Sequence, residues 1–175
     1  MKFSDSSIFA FLFKVCIAFI AWYIFYDIWL LNDGRLDEWV SLNIIGNTAG
    51  ILSWFGYEVN SVNRIIGIGV TPGIEIVNGC NGISAIGLFL GFIIAYPGDL
   101  SKKISFSVLG IMLIYISNLI RVIVLVISQK EWFVFFDLIH DYATSAIFYL
   151  IIFVLWMIWV NYNDFKYTKP LETDT

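Results

Sequence analysis

Three residues of this chain have side chains able to do chemistry in surroundings that otherwise offer little: Cys80, Arg121 and His140. Cys80 lies in the string Asn78-Gly79-Cys80-Asn81-Gly82, a turn-like stretch that opens an apolar run. Free N–H groups and the dipole at a helix N-terminus stabilise an anion there, a thiolate included. Its flanking glycines permit unusual dihedrals and close backbone approach. Arg121 is a cation inside a long apolar segment, with Asn118 one turn earlier on the same helical face. A charge at such depth is costly in lipid and normally faces the protein interior or a wet cavity. His140 is the only histidine, with Asp137 and Asp141 near enough in sequence to orient its ring. Each has a plainer reading. Cys80 could pack as a small buried hydrophobe. Arg121 could snorkel outward or pair with Asp137 or Asp141, and His140 could simply sit at an interface. The other cysteine, Cys16, lies among apolar residues in mid-helix and reads as structural.

The elements that would position these residues follow from composition. Of 175 residues, 59% are hydrophobic and only 14% charged, against about 25% charged in soluble domains. The excess is concentrated in long runs, so lipid is the expected solvent. A spanning helix needs roughly 20 apolar residues. Four runs meet or approach that length: Ile8–Leu31, Gly82–Tyr96, Ile104–Ile127 and His140–Val160. The first is too long for the core of a cleaved signal peptide and reads as a retained transmembrane helix. Trp39–Tyr57 mixes apolar residues with Asn and Gly. It reads as a helix on the interface or packed against the bundle, with Trp39 and Trp54 as anchors. Between Glu58 and Gly79, β-branched residues alternate with glycines around the turn Thr71-Pro72-Gly73, predicting a short β-hairpin or flap leading into Cys80. The fold expected is therefore an all-α integral membrane protein with about four transmembrane helices, an interfacial helix and a β-hairpin-like segment. Residues 1–160 form the membrane-embedded domain and 161–175 a polar tail.

Lys2, Lys102, Lys103, Lys166 and Lys169 fall on one side of such a bundle, which places both termini in the cytoplasm. The flap and the loop Gln129–Ile139 then face outward. On this topology Cys80 ends the second span, Arg121 lies in the outer part of the third, and His140 begins the fourth. Residues sixty positions apart thus converge near the outer surface. Two cysteines and one histidine exclude a disulfide framework, a zinc spacing and a His-rich metal site. Without a basic stripe, nucleic acid is not an expected partner. No cofactor is implied.

The string Asn78-Gly79-Cys80-Asn81-Gly82-Ile83 at a helix start, Asn118-Leu119-Ile120-Arg121 in the next span and His140 at the start of the last resemble the exosortase/archaeosortase family, in its short Bacteroidetes form sometimes called exosortase F. The stretch concerned is Val77–Tyr149. Many family members are longer, with about eight spans, and the gap from Arg121 to His140 looks short beside them. The resemblance implies a cysteine transpeptidase or protease of the cytoplasmic membrane, acting on the extracytoplasmic side. Its substrate would be an exported protein ending in a short motif, a transmembrane helix and a basic end. The acyl group would pass to a lipid or glycan acceptor at the surface. The resemblance makes Cys80 the nucleophile, His140 the acid or base and Arg121 the anion stabiliser, with Asn78, Asn81, Gly82, Asn118 and Asp141 touching substrate or supporting these. Two other readings remain open. One is a non-catalytic subunit of an envelope polysaccharide or protein export system. The weaker one is a serine-type protease using Ser84, which lacks a Gly-x-Ser-Gly setting.

Overall fold

The computed structural model describes residues 5–140 and 144–167, with side chains placed for 9–140 and 146–163. Helix α1 (Asp5–Tyr23) continues through a π-helical stretch, Ile24–Leu30, and a last turn, Leu31–Asp33. Gly34 then adopts a left-handed conformation (φ 72°) and its N–H bonds Leu30 C=O at 3.0 Å. An αL glycine closes a helix in this way because it lacks the Cβ that would clash. The chain turns back at once into α2 (Arg35–Trp54). One stripe of α2 is buried: Asp37, Ser41, Ile44, Ile45, Thr48 and Leu52. The spacing is that of one helical face. Trp39 and Trp54 lie off that stripe, exposed.

A three-stranded antiparallel sheet follows, in the order β1 (Val59–Val62), β2 (Ile65–Ile68), β3 (Ile74–Glu75). It has one strand more than the expected hairpin. The additional turn is the two-residue loop Asn63-Arg64, which Asn63 permits by taking a left-handed φ of 53°. Ile66, Ile68, Ile74 and Ile76 bury against Ile44, Leu52, Val122 and Val126, so sheet, α2 and one helix of the bundle share a core.

Helix α3 (Ile83–Ala95) and helix α4 (Leu100–Glu131) are joined by a turn in which Asp99 caps α4, accepting from Ser101 N at 2.9 Å and Lys102 N at 3.3 Å. With only 13 residues, α3 is about 20 Å long at 1.5 Å per residue, short of the ~30 Å bilayer core. Among the described residues, three helices are long and apolar enough to cross a membrane, by length and composition: Phe9–Asp33, Leu100–Glu131 and Ala146–Asn163. A second core, with Phe89, Ile93, Ile114, Ile152 and Trp159, holds α3, α4 and α5 (Thr144–Tyr167) together. Close packing of α3 on α1 depends on Gly87 and Gly91. A Cβ at Gly87 would fall 1.9 Å from Trp22 Cε2, and one at Gly91 2.9 Å from Phe19 Cε1.

Two boundaries differ from the sequence reading. Helix α4 runs on to Glu131, because Ser128 and Gln129 are buried against the sheet end rather than released into a loop. The helix of the last span is described from Thr144, and His140 lies on a helical stretch that follows Phe136–Leu138. Finally, α5 continues to Tyr167, seven residues past Val160.

Candidate active site

The loop carrying Cys80 is fixed from several directions. Its centre is Asp37, fully buried in the first turn of α2. Asp37 Oδ1 accepts from Tyr26 Oη at 2.8 Å, Gly79 N at 3.0 Å and Asn81 Nδ2 at 2.8 Å. One carboxylate oxygen therefore ties α1 and both neighbours of Cys80 to α2. Asn81, also buried, accepts on its Oδ1 from the N–H of Ile83, the first residue of α3, at 3.2 Å. Asn78 Oδ1 accepts from Arg64 Nη1, and Arg64 Nη2 reaches Ser41 Oγ at 3.3 Å. Cys80 N bonds Val77 C=O at 3.1 Å. With its backbone held at each flank, the Cys80 side chain is left exposed. It is not the packed hydrophobe of the plainer reading.

Cys80 also sits differently from the expected first helical turn. Gly82, left-handed at φ 90°, is the N-cap of α3, and the thiol lies two residues before it. A Cβ at Gly82 would lie 3.5 Å from Asn118 Cβ, Cγ and Nδ2. The glycine thus lets the loop approach α4 at the Asn118 level. Asn118 is fully buried, with neither side-chain polar atom hydrogen-bonded among the described residues. One turn on, Arg121 Nε is likewise buried and unpartnered. Among the described residues Arg121 forms no ion pair, with Asp137 or with any other acid. Buried groups of this kind are uncommon in finished cores, since each lost partner costs about 1–3 kcal/mol. Asp141, the remaining site residue read from the sequence, lies outside the described residues.

A cleft of about 240 Å³ is lined by Cys80, Arg121 and His140 together, with the segment Ile74–Val77, Val122 and Leu125 completing its wall. Arg121 also borders a second hollow of about 210 Å³ with Cys80, Ser84, Phe148 and Tyr149. Cys80 and Arg121 thus line both spaces. His140 is exposed, its ring stacked on Phe136 at 5.6 Å between centroids. Asp37 is what sequence reasoning missed. Its signal was available in the helical spacing Asp37, Ser41, Ile44, Thr48, Leu52, which sets a carboxylate on the buried stripe of α2.

The fold and this cleft define a membrane-embedded helical protein with a thiol, a guanidinium and an imidazole around one space. Residues 3–157 match the transmembrane exosortase family. The chain is also 30% identical over 142 residues to the probable archaeosortase D of Methanocaldococcus jannaschii, covering 81% of this chain and 84% of that protein. This chain belongs to the exosortase/archaeosortase family, a class of membrane-embedded cysteine transpeptidases that act on sorting signals. No solved structure matches it.

Proposed function

We propose that this protein cleaves the C-terminal sorting signal of an exported protein and transfers the freed acyl end to a surface acceptor, with Cys80 as nucleophile. The observation that carries this reading is the shared cleft: Cys80, Arg121 and His140 line one space in a chain of this family. Cys80 Sγ, as thiolate, attacks the scissile carbonyl and forms a tetrahedral oxyanion, which Arg121 stabilises by charge and N–H donation. Collapse breaks the C–N bond, and the leaving amine takes a proton from His140. A thioester on Cys80 remains. An amine or hydroxyl acceptor, a lipid or a glycan, then attacks the thioester, gives its proton to His140 and releases the thiolate.

The alternative of a non-catalytic subunit expected Cys80 to pack and Arg121 to pair with an acid. An exposed thiol and a guanidinium without an ion pair among the described residues favour the enzyme. Replacing Cys80 by Ala or Ser should abolish processing of a tail-bearing exported protein while membrane insertion is retained. Arg121→Lys should lower processing at least about tenfold, because a point charge does not reproduce the planar donor fork. Immunoblotting of precursor and processed forms reads both, and normal processing by Cys80→Ala would sink the proposal.

A further inference from the structure

One wall of the cleft is the segment Ile74–Val77, which begins as strand β3. Antiparallel pairing alternates residues that bond across the ladder with residues that point away from it. Ile76 N–H donates to Arg64 C=O at 2.9 Å, and Ile74 pairs with Ile66. These two residues therefore turn their backbone groups toward β2. Glu75, between them, turns its N–H and C=O to the outer edge, where it has no backbone partner among the described residues. The same edge is already paired two residues earlier. Gly73 N–H donates to Gln129 Oε1 at 3.1 Å, and Gln129 Nε2 donates to Gly73 C=O at 3.1 Å. The buried carboxamide of Gln129 thus makes the two-point contact a neighbouring strand would make. It ends where the cleft begins, and the open stretch from Glu75 runs toward Cys80.

We propose that the outer edge of β3 at Glu75 is a strand-addition site for an extended peptide segment of the processed protein, seated so that a peptide carbonyl reaches Cys80. The proposal deepens the transpeptidase reading and rests on it for the identity of the peptide. Backbone pairing supplies affinity with little demand on sequence. Gln129 closes the edge at Gly73 and so limits how far the added strand extends, which fixes its register against the thiol.

A reagent that needs no native substrate tests this. In a Cys16→Ser background, membranes are treated with acetyl-tetra-alanine chloromethyl ketone or with iodoacetamide, and Cys80 alkylation is followed by mass spectrometry. The peptide reagent should label Cys80 about tenfold faster than its intrinsic reactivity relative to iodoacetamide predicts, the worth of two backbone hydrogen bonds. N-methylation of the peptide's amides should erase that advantage on the unaltered protein. Glu75→Pro should reduce it about fivefold, because it removes an N–H that β2 does not use. Glu75→Ala should preserve it. Equal advantages for the methylated and unmethylated peptides would overturn the proposal. So would a change of oligomeric state in Glu75→Pro with the labelling ratio intact, which would mean that the edge pairs with a second copy. Processing by Cys80→Ala tests the transpeptidase reading separately, since alkylation does not require turnover.

Discussion

At Asp37 one oxygen accepts three hydrogen bonds in a fully buried setting. Two of the donors, Gly79 N–H and Asn81 Nδ2, flank Cys80, so this carboxylate controls where the thiol stands without lining the cleft itself. Asp37→Ala would strand Tyr26 Oη and Gly79 N–H and leave the Asn81 amide only its 3.2 Å bond to the backbone C=O of residue 37. At about 1–3 kcal/mol for each unpaired buried group, partly recovered by relaxation, the expected cost is about 3 kcal/mol. Processing should fall at least about tenfold through displacement of the loop. Asp37→Asn keeps an acceptor oxygen and should lose less of both. Melting temperature in detergent and the rate of Cys80 alkylation by iodoacetamide check this, and an unchanged alkylation rate in Asp37→Ala would remove the positioning role. Asp37 was hard to read because it stands in a run with Asp33, Arg35 and Glu38 that looks like a solvated loop. Its burial exists only once Gly34 has turned α2 back against α1.

Among helices α1 to α5, α3 is the shortest and has the most demanding packing. Its glycines admit the rings of Trp22 and Phe19, and Gly110 of α4 admits Phe89, to which a Cβ would come within 2.2 Å. In a bilayer such small residues matter because helix association draws on close van der Waals packing rather than on water exclusion. A side chain at Gly87 must displace an indole held between α1 and α3. Gly87→Leu should therefore cost about 3 kcal/mol, the upper end of overpacking penalties. The readout is a lowered melting temperature in detergent together with reduced processing. Wild-type melting behaviour would show that α1 does not need this contact. The segment Trp39–Tyr57 was legible as a helix on the interface or packed against the bundle, and the structure packs it, burying Ser41, Ile44, Ile45, Thr48 and Leu52.

For the whole molecule, the two cores divide the chain into a sheet end and a turn end, with the cleft at their junction. The turn end is assembled from distant segments. Phe11 of α1 meets Phe92 and Tyr96 at 5.7 Å, Lys102 lies 5.8 Å from the Tyr162 ring, and Lys103 Nζ bonds Ile94 C=O at 2.8 Å. The beginning of α1, the α3–α4 turn and the far part of α5 therefore share one end, and Cys80 lies toward the other. Lys102 and Lys103 at that end favour a cytoplasmic position for it. A green fluorescent protein fused after Thr175 should fluoresce, and alkaline phosphatase fused at the exposed Val70 should be active. The inverse pattern would reverse the orientation and move the proposed site to the cytoplasmic face.

The apolar runs alone were enough to find the three helices long enough to cross a membrane and the shorter α3, because the need to satisfy backbone groups within lipid favours helices. The glycine-flanked Cys80 and the intramembrane Arg121 were visible for a similar reason: each violates the local pattern of a lipid-facing segment. Tertiary structure alone decided what holds the Cys80 loop and the start of β3. Asp37 and Gln129 are ordinary polar residues in sequence, and their roles come from hydrogen bonds across 42 and 56 positions. Such bonds depend on how α2 and the sheet fold back onto α4, a geometry that no local periodicity encodes.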